Sequence, residues 1–222
     1  MRSRGILARN FDVLAAGFAI VLILGALQPW LTPAAFFELI LTAGVAFVFW
    51  PAIRGEWVFD DWAIADEEPD FKRGVGYRVR YLFQTLKRPF YPAAGRPFTY
   101  VVYAITYKFW GFRMEAWHGI SLAMHAGAVV ILHRLALAWF HDSGTAAAVA
   151  AIFAFHPLQV GSVAYVSGRP NLQSLLLTLA GLWCFQLGAW PASIVLQWLA
   201  WRSKEDSILY WVFYPICFYL FT

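Results

Sequence analysis

Gly55-Glu56-Trp57-Val58-Phe59-Asp60-Asp61-Trp62 follows directly on an apolar run over residues 33–53. A run of that length fits the roughly 17–25 residues a helix needs to cross a bilayer. Two adjacent carboxylates therefore stand at the mouth of an expected membrane span, flanked by Trp57, Phe59 and Trp62. Aromatic rings of this kind settle at the headgroup level. A carboxylate desolvated by apolar walls at such a surface is suited to general-base work. The competing reading is a solvated acidic loop that ends a helix, because charge clusters usually face water.

Composition carries the membrane reading to the whole chain. Of 222 residues, 61% are hydrophobic and only 14% charged, against about 25% charged in soluble domains. The expected fold class is all-α, a polytopic integral membrane bundle of five or six spans. Twelve Trp, ten Tyr and twenty Phe fit interfacial belts and tight helix packing. A net charge of +4 comes with no Arg/Lys tract, zinc-ligand spacing or nucleic-acid motif, which excludes a nucleic-acid partner; no metal or cofactor is expected. Cys184 and Cys217 lie in apolar runs and read as small buried hydrophobes. Arg2, Arg4 and Arg9 precede a long apolar stretch without a small-x-small cleavage site, the pattern of a signal anchor.

In order, residues 11–30 and 34–53 are expected spans, with Glu38 snorkelling near the start of the second. Residues 54–113 form a long loop with segregated charge. Seven acids come first, from Glu56 to Asp70, and nine bases follow, from Lys72 to Arg113. Interleaving of those bases with Tyr77, Tyr81, Phe83, Phe90 and Tyr91 describes helices lying in the interface plane against anionic lipids. Residues 98–110 are apolar but short, an interfacial or re-entrant helix. Residues 116–222 complete one membrane domain spanning 1–222. Within it 116–140 is a span carrying His118 and His125 on one face. Residues 141–144 turn, and His156-Pro157 breaks the next helix. Residues 158–171 are mixed polar, and irregular backbone at that depth must be buried in protein or line a cavity. Residues 172–190 are a further expected span, 191–201 a short apolar helix, and 207–222 a last apolar run without a charged flank.

Four polar islands separate these runs: Asp60-Asp61, Arg96-Pro97, His156 to Asn171, and Ser203-Lys204-Glu205. Their order resembles the GT-C membrane glycosyltransferases. Within these it is most similar to the O-mannosyltransferase-like proteins that carry tetratricopeptide repeats. Pro51 to Asp61 resembles their opening, an apolar helix leading into "geFvfDD", and Gly95-Arg96-Pro97-Phe98-Thr99 is similar to their "RPLT" segment. Trp117 to Ala126 is similar to their His-containing helix, with Ser121 where Asn is usual. His156-Pro157 and Ser167-Gly168-Arg169-Pro170-Asn171 resemble "HP…sGRaD", and Ser203-Lys204-Glu205 their "SKE". Asn171 departs from the usual acid, and the later spans and repeats of that family have no counterpart in this sequence.

The resemblance implies transfer of a sugar from a polyprenyl-phosphate donor to a protein or lipid hydroxyl. Asp61 or Asp60 would be the base. Arg96, Arg169 and Lys204 would face the leaving phosphate, and His156 and Glu205 would line the site. An alternative pairing of Arg169 with Glu205 inside the bundle would offset their burial. A second reading is a non-catalytic subunit of the same origin, stabilising a larger membrane complex. Orientation is open. The N-terminal arginines and the bases of 54–113 favour the cytoplasmic side, whereas the resemblance implies the outer face of, in this reading, a bacterial inner membrane.

Overall fold

The structure is a computed structural model that describes residues 31–58, 60–84 and 96–221 together with positions 23 and 28; at 213, 215, 217, 218, 220 and 221 it describes the backbone alone. Helix α1, Pro33–Ile53, starts where the Thr32 side chain accepts from the Ala35 N–H and Pro33 presets the first turn. Three short helices follow: α2 (Asp61–Asp66), α3 (Glu68–Lys72) and α4 (Val75–Gln84). Arg78 fastens α4 down, with Nη2 at 2.7 Å from Glu67 and 3.3 Å from Asp70 and its guanidinium over the rings of Tyr100 and Phe71. Helix α5, Pro97–Trp110, ends at Gly111 with φ +56°. The 27-residue α6, Met114–Phe140, ends on His141 in the left-handed region. Asp142 then caps α7, Ser143–Phe155, by accepting from the Thr145 N–H at 2.6 Å.

His156-Pro157 breaks the chain as the sequence requires. A 3₁₀ turn, Pro157–Gln159, and α8, Val160–Val163, leave α7 at an angle of 47°. Helices α9 (Arg169–Gln186) and α10 (Trp190–Ser203), a 3₁₀ turn Glu205–Leu209 and α11 (Tyr210–Phe221) complete the chain. No strand occurs among the described residues.

Helix α6 is the central post, packed by α1, α7 and α9, with α10 on the far side of α9. Leu41, Val45 and Phe49 of α1 meet Leu122 and Val129 of α6, Ala150 and Ala154 of α7, and Leu172 of α9. For helices in lipid such contacts stabilise through close packing and not through transfer out of water. On α7 the buried positions are Ala146, Ala150 and Ala154, and small residues let its backbone approach α6 closely. Contacts fix the helix directions. Glu38 near the start of α1 meets Arg134 near the end of α6, and Gln173 near the start of α9 meets Ser203 at the end of α10. One end of the bundle therefore collects the C-termini of α1, α7 and α10 and the N-termini of α6 and α9. Helices α2 to α5 dock against that same end.

Two helices, α1 and α6, are long and apolar enough to cross a membrane, and the bent pair α7–α8 makes a third if counted as one span. The remaining runs fold into shorter helices of 18, 14 and 12 residues. The expected span 11–30, apart from positions 23 and 28, and Lys87, Arg88, Phe90 and Tyr91 lie outside the described residues. Cys184 is half-buried with a free thiol, and the Cys217 side chain is not described. Glu38 does not snorkel. It is buried, taking Arg134 Nε and Nη2 at 3.0 and 2.9 Å, with His133 Nδ1 at 3.2 Å. A carboxylate that can reach two such partners gains more from pairing inside the protein than from extending to water.

Candidate functional site

The two carboxylates at the end of α1 have opposite fates. Backbone from Val58 turns, with Asp61 N–H donating to Val58 O at 3.0 Å, and α2 begins at Asp61. An extended segment would have set side chains by alternation; the turn replaces that rule. Asp61 is fully buried and Asp60 is exposed. Asp61 Oδ1 accepts from the Ser167 N–H at 2.7 Å, and Oδ2 from the Val58 N–H at 3.4 Å. Asp60 occupies the N-cap position without a side-chain capping bond.

Ser167 belongs to the turn that delivers Arg169 into the protein. That turn is tight. A Cβ on Gly168 would stand 2.2 Å from Gly161 O, so only glycine allows the two backbones to meet. Arg169 is fully buried, with Nε donating to Ser121 Oγ at 3.2 Å and Nη2 to Trp117 O at 2.5 Å. The rings of Trp117 and Tyr103 lie 5.1 and 5.0 Å from its guanidinium carbon, and such stacking offsets part of the cost of burying the charge. Tyr103 donates to Val166 O at 2.9 Å. Burial pushes its phenol well up despite the nearby Arg169, so it stays a neutral donor. His118 is buried beside Asp61 and Arg169. The Ala164 backbone stands close without completing a bond of normal geometry. Trp57 Nε1, both ring nitrogens of His118 and Arg169 Nη1 thus make no hydrogen bond among the described residues. Orphaned buried groups are rare in folded proteins; these four belong to side chains packed in or against this cluster.

A second cluster lies at the ends of α9 and α10. Arg96 forms a fork with Glu205, Nε at 3.5 Å from Oε2 and Nη2 at 3.4 Å from Oε1. Lys204 Nζ donates to Asn171 Oδ1 and pairs with Asp206 at 2.9 Å. Glu205 is held below the usual carboxylate range by its own backbone N–H and by Arg96, and Asp206 by the Lys204 bond. Thr99 donates to Ser203 O at 3.1 Å and Gln173 Nε2 to Ser203 Oγ at 3.0 Å. Helices α5 and α9 tie the two clusters together: Thr99 and Gln173 reach one, Tyr103 and Arg169 the other. The Tyr103 phenol lies within electrostatic range of Asp61, Arg96 and Arg169 alike.

Of the residues singled out by sequence, Asp61 and Arg169 share the buried cluster, while Arg96, Lys204 and Glu205 form the rim beside it. Arg169 does not pair with Glu205, because Arg96 takes that carboxylate. His156 stands apart: it is exposed, its Nδ1 spent on the Leu158 N–H at 3.2 Å. Tyr103 and Gln173 went unmarked by the sequence reading, and Thr99 and Ser203 entered it only as members of motifs, since hydroxyls and amides in apolar helices resemble ordinary helix polar residues. No group of three or more His, Cys, Asp or Glu among the described residues could hold a metal ion. No protein-family model, curated protein or solved structure matches this chain.

Proposed function

We propose that the chain is a membrane glycosyl-transfer module of the GT-C kind, working at the bundle end that carries Asp61. One observation supports this above others: four polar islands far apart in sequence, Asp61, Arg96, Arg169 to Asn171 and Lys204-Glu205, gather at one end of an apolar bundle. Ionisable groups in such a setting mark function by default. The donor would be a polyprenyl-phosphate sugar and the acceptor a hydroxyl of protein or lipid. A carboxylate takes the hydroxyl proton, the freed oxygen bonds to the anomeric carbon, and the bond from that carbon to the phosphate oxygen breaks. Asp61 Oδ2, held only by the 3.4 Å bond from Val58, is the oxygen open to the proton. Arg96 and Lys204, on the partly exposed rim, meet the phosphate charge as it grows, and Arg169 orients the Ser167 turn. Residues 11–30, α9 and α11 complete a six-span bundle in a bacterial inner membrane, with anionic lipids beneath α4.

A second reading, a non-catalytic subunit of a larger membrane complex, is favoured by the enclosure of Asp61, whose oxygens clamp two backbone N–H groups. Purified protein in nanodiscs, given polyprenyl-phosphate mannose or glucose and a hydroxyl acceptor, separates the two. The transferase reading expects glycosylated product by mass spectrometry, and its loss in a folded Asp61→Asn variant. No product from the unmutated protein with either donor favours the subunit.

A further inference from the structure

Helices α9 and α10 form a hairpin with no Asp, Glu, Lys, Arg or His between positions 172 and 201. In the half of this hairpin away from Asp61, a half-open cleft of about 250 Å³ lies between it and α11. Phe185, Trp190, Ile194 and Trp211 wall it, the first two stacked with ring centroids 6.3 Å apart. Ser193, Gln197 and Tyr214 lie at its floor, all three buried. The cleft has a cause in the sequence. Tyr214 is the one buried residue among the described side chains of α11, so the helix leans on the hairpin at that point. A Cβ at Gly181 would stand 2.3 Å from the phenol oxygen, and glycine there lets Tyr214 reach in. The phenol stands 3.0 Å from Thr178 O and from Gln197 Oε1, while Gln197 Nε2 donates to Ser207 O at 2.7 Å. Those groups are spent on protein partners, and the floor gives a polar ligand no free amide or phenol. An apolar void of this kind stays dry and takes apolar guests. In a bilayer the guest at hand is a hydrocarbon chain. Trp190, the first residue of α10, is 60% exposed at the end of the bundle opposite Asp61, where an indole marks the headgroup level. A hydrocarbon entering beside it belongs to a lipid of the leaflet opposite the Asp61 end, with its headgroup outside the cleft.

We propose that this cleft is a lipid site holding one acyl chain of a bilayer phospholipid, selected by its hydrocarbon and not by its headgroup. The site needs the bundle to stand in a bilayer and does not depend on whether the protein is a transferase. The full chain in dodecyl maltoside is given dioleoyl phosphatidylcholine or dioleoyl phosphatidylglycerol at equal concentration, and bound lipid is read by native mass spectrometry. One phospholipid per protein should be retained. The two headgroups should agree within about twofold, because the hairpin carries no charge to tell them apart. Ile194→Trp fills the cleft and should weaken retention at least about tenfold. Val195→Trp alters an equally exposed neighbour outside the cleft and should keep the lipid. Should Ile194→Trp fail to fold, a phosphatidylcholine brominated on its acyl chains supplies the readout: one equivalent quenches tryptophan emission of the unmutated protein, and quenches Trp190→Phe less. No retained lipid, retention unchanged in Ile194→Trp, or quenching unchanged in Trp190→Phe overturns the proposal. So does a preference for phosphatidylglycerol above about tenfold, which would assign recognition to the headgroup. Displacement of the phospholipid by an equimolar polyprenyl phosphate overturns it as well, and gives the cleft to an isoprenoid.

Discussion

Replacing Asp61 by Asn isolates the electrostatic role of one buried carboxylate without changing its shape. Two backbone N–H groups point at it, Ser167 at 2.7 Å and Val58 at 3.4 Å. A hydrogen bond to a charged acceptor contributes about 1.5–3 kcal/mol, and a buried donor left unpaired costs about 1–3 kcal/mol. The Asn carbonyl can keep one of the two bonds. Its amide group then faces the other N–H, donor against donor. The short Ser167 bond will be the one kept, now to a neutral acceptor, and Val58 will be orphaned. Together these changes should destabilise by about 2–4 kcal/mol. For a chain of this size that lowers Tm by about 4–16 °C. Tryptophan fluorescence in detergent reads the transition directly, because Trp57 and Trp117 pack 5.6 Å apart next to the site. Asp60→Asn, at an exposed position, should stay within about 0.5 kcal/mol of the unmutated protein. An Asp61→Asn protein as stable as Asp60→Asn would refute the clamp. The comparison also sets the temperature below which any loss of transfer activity reports chemistry and not unfolding.

Gly168→Ala should cost about 3 kcal/mol or more, because its Cβ meets the Gly161 carbonyl at 2.2 Å and no rotamer can relieve a backbone clash; a Tm within about 2 °C of the unmutated value would contradict this. Glu38→Ala should cost about 3–5 kcal/mol by leaving His133 and Arg134 without their carboxylate. Arg134→Ala leaves His133 with Glu38 and removes a side chain that is 51% exposed, so it should cost less; equilibrium unfolding of the two variants checks the order. The Arg96–Glu205 fork gives a pH signature. Its carboxylate is depressed in the fold, so its contribution is complete above the unfolded value of about 4.3 and fades as pH falls through the lower folded value. Glu205→Gln should therefore be destabilised by about 0.2–1 kcal/mol at pH 7, the range for solvent-screened pairs, and match the unmutated protein near pH 2. A difference that grows on acidification would be the wrong sign.

Periodicity and breakers made the long elements legible. Apolar length located α1 and α6 to within two residues, and His156-Pro157 announced the bend. Partnership over long sequence distance was not legible. Glu38 looked free to reach water because nothing nearby in sequence shows that Arg134, 96 positions away, arrives beside it. Asp60 and Asp61 stood level as candidate bases in the sequence; a turn at Val58 buried Asp61 alone, through the Ser167 N–H. His156 stood out as an ionisable group at a helix break, yet its ring serves the backbone of that break.

The Glu38–Arg134 pair bears on how the chain is made. A ribosome adds about 5–20 residues per second, so the 96 positions between the partners take about 5–20 s to synthesise. For that interval α1 exists with an acid and no base. When α6 emerges, only one orientation brings Arg134 to the end of α1 that holds Glu38. Entering the other way leaves Glu38 and Arg134 at opposite ends of the bundle, each without its partner. The pair therefore fixes α6 antiparallel to α1, and both its members are made before Arg169, which the Asp61 end requires.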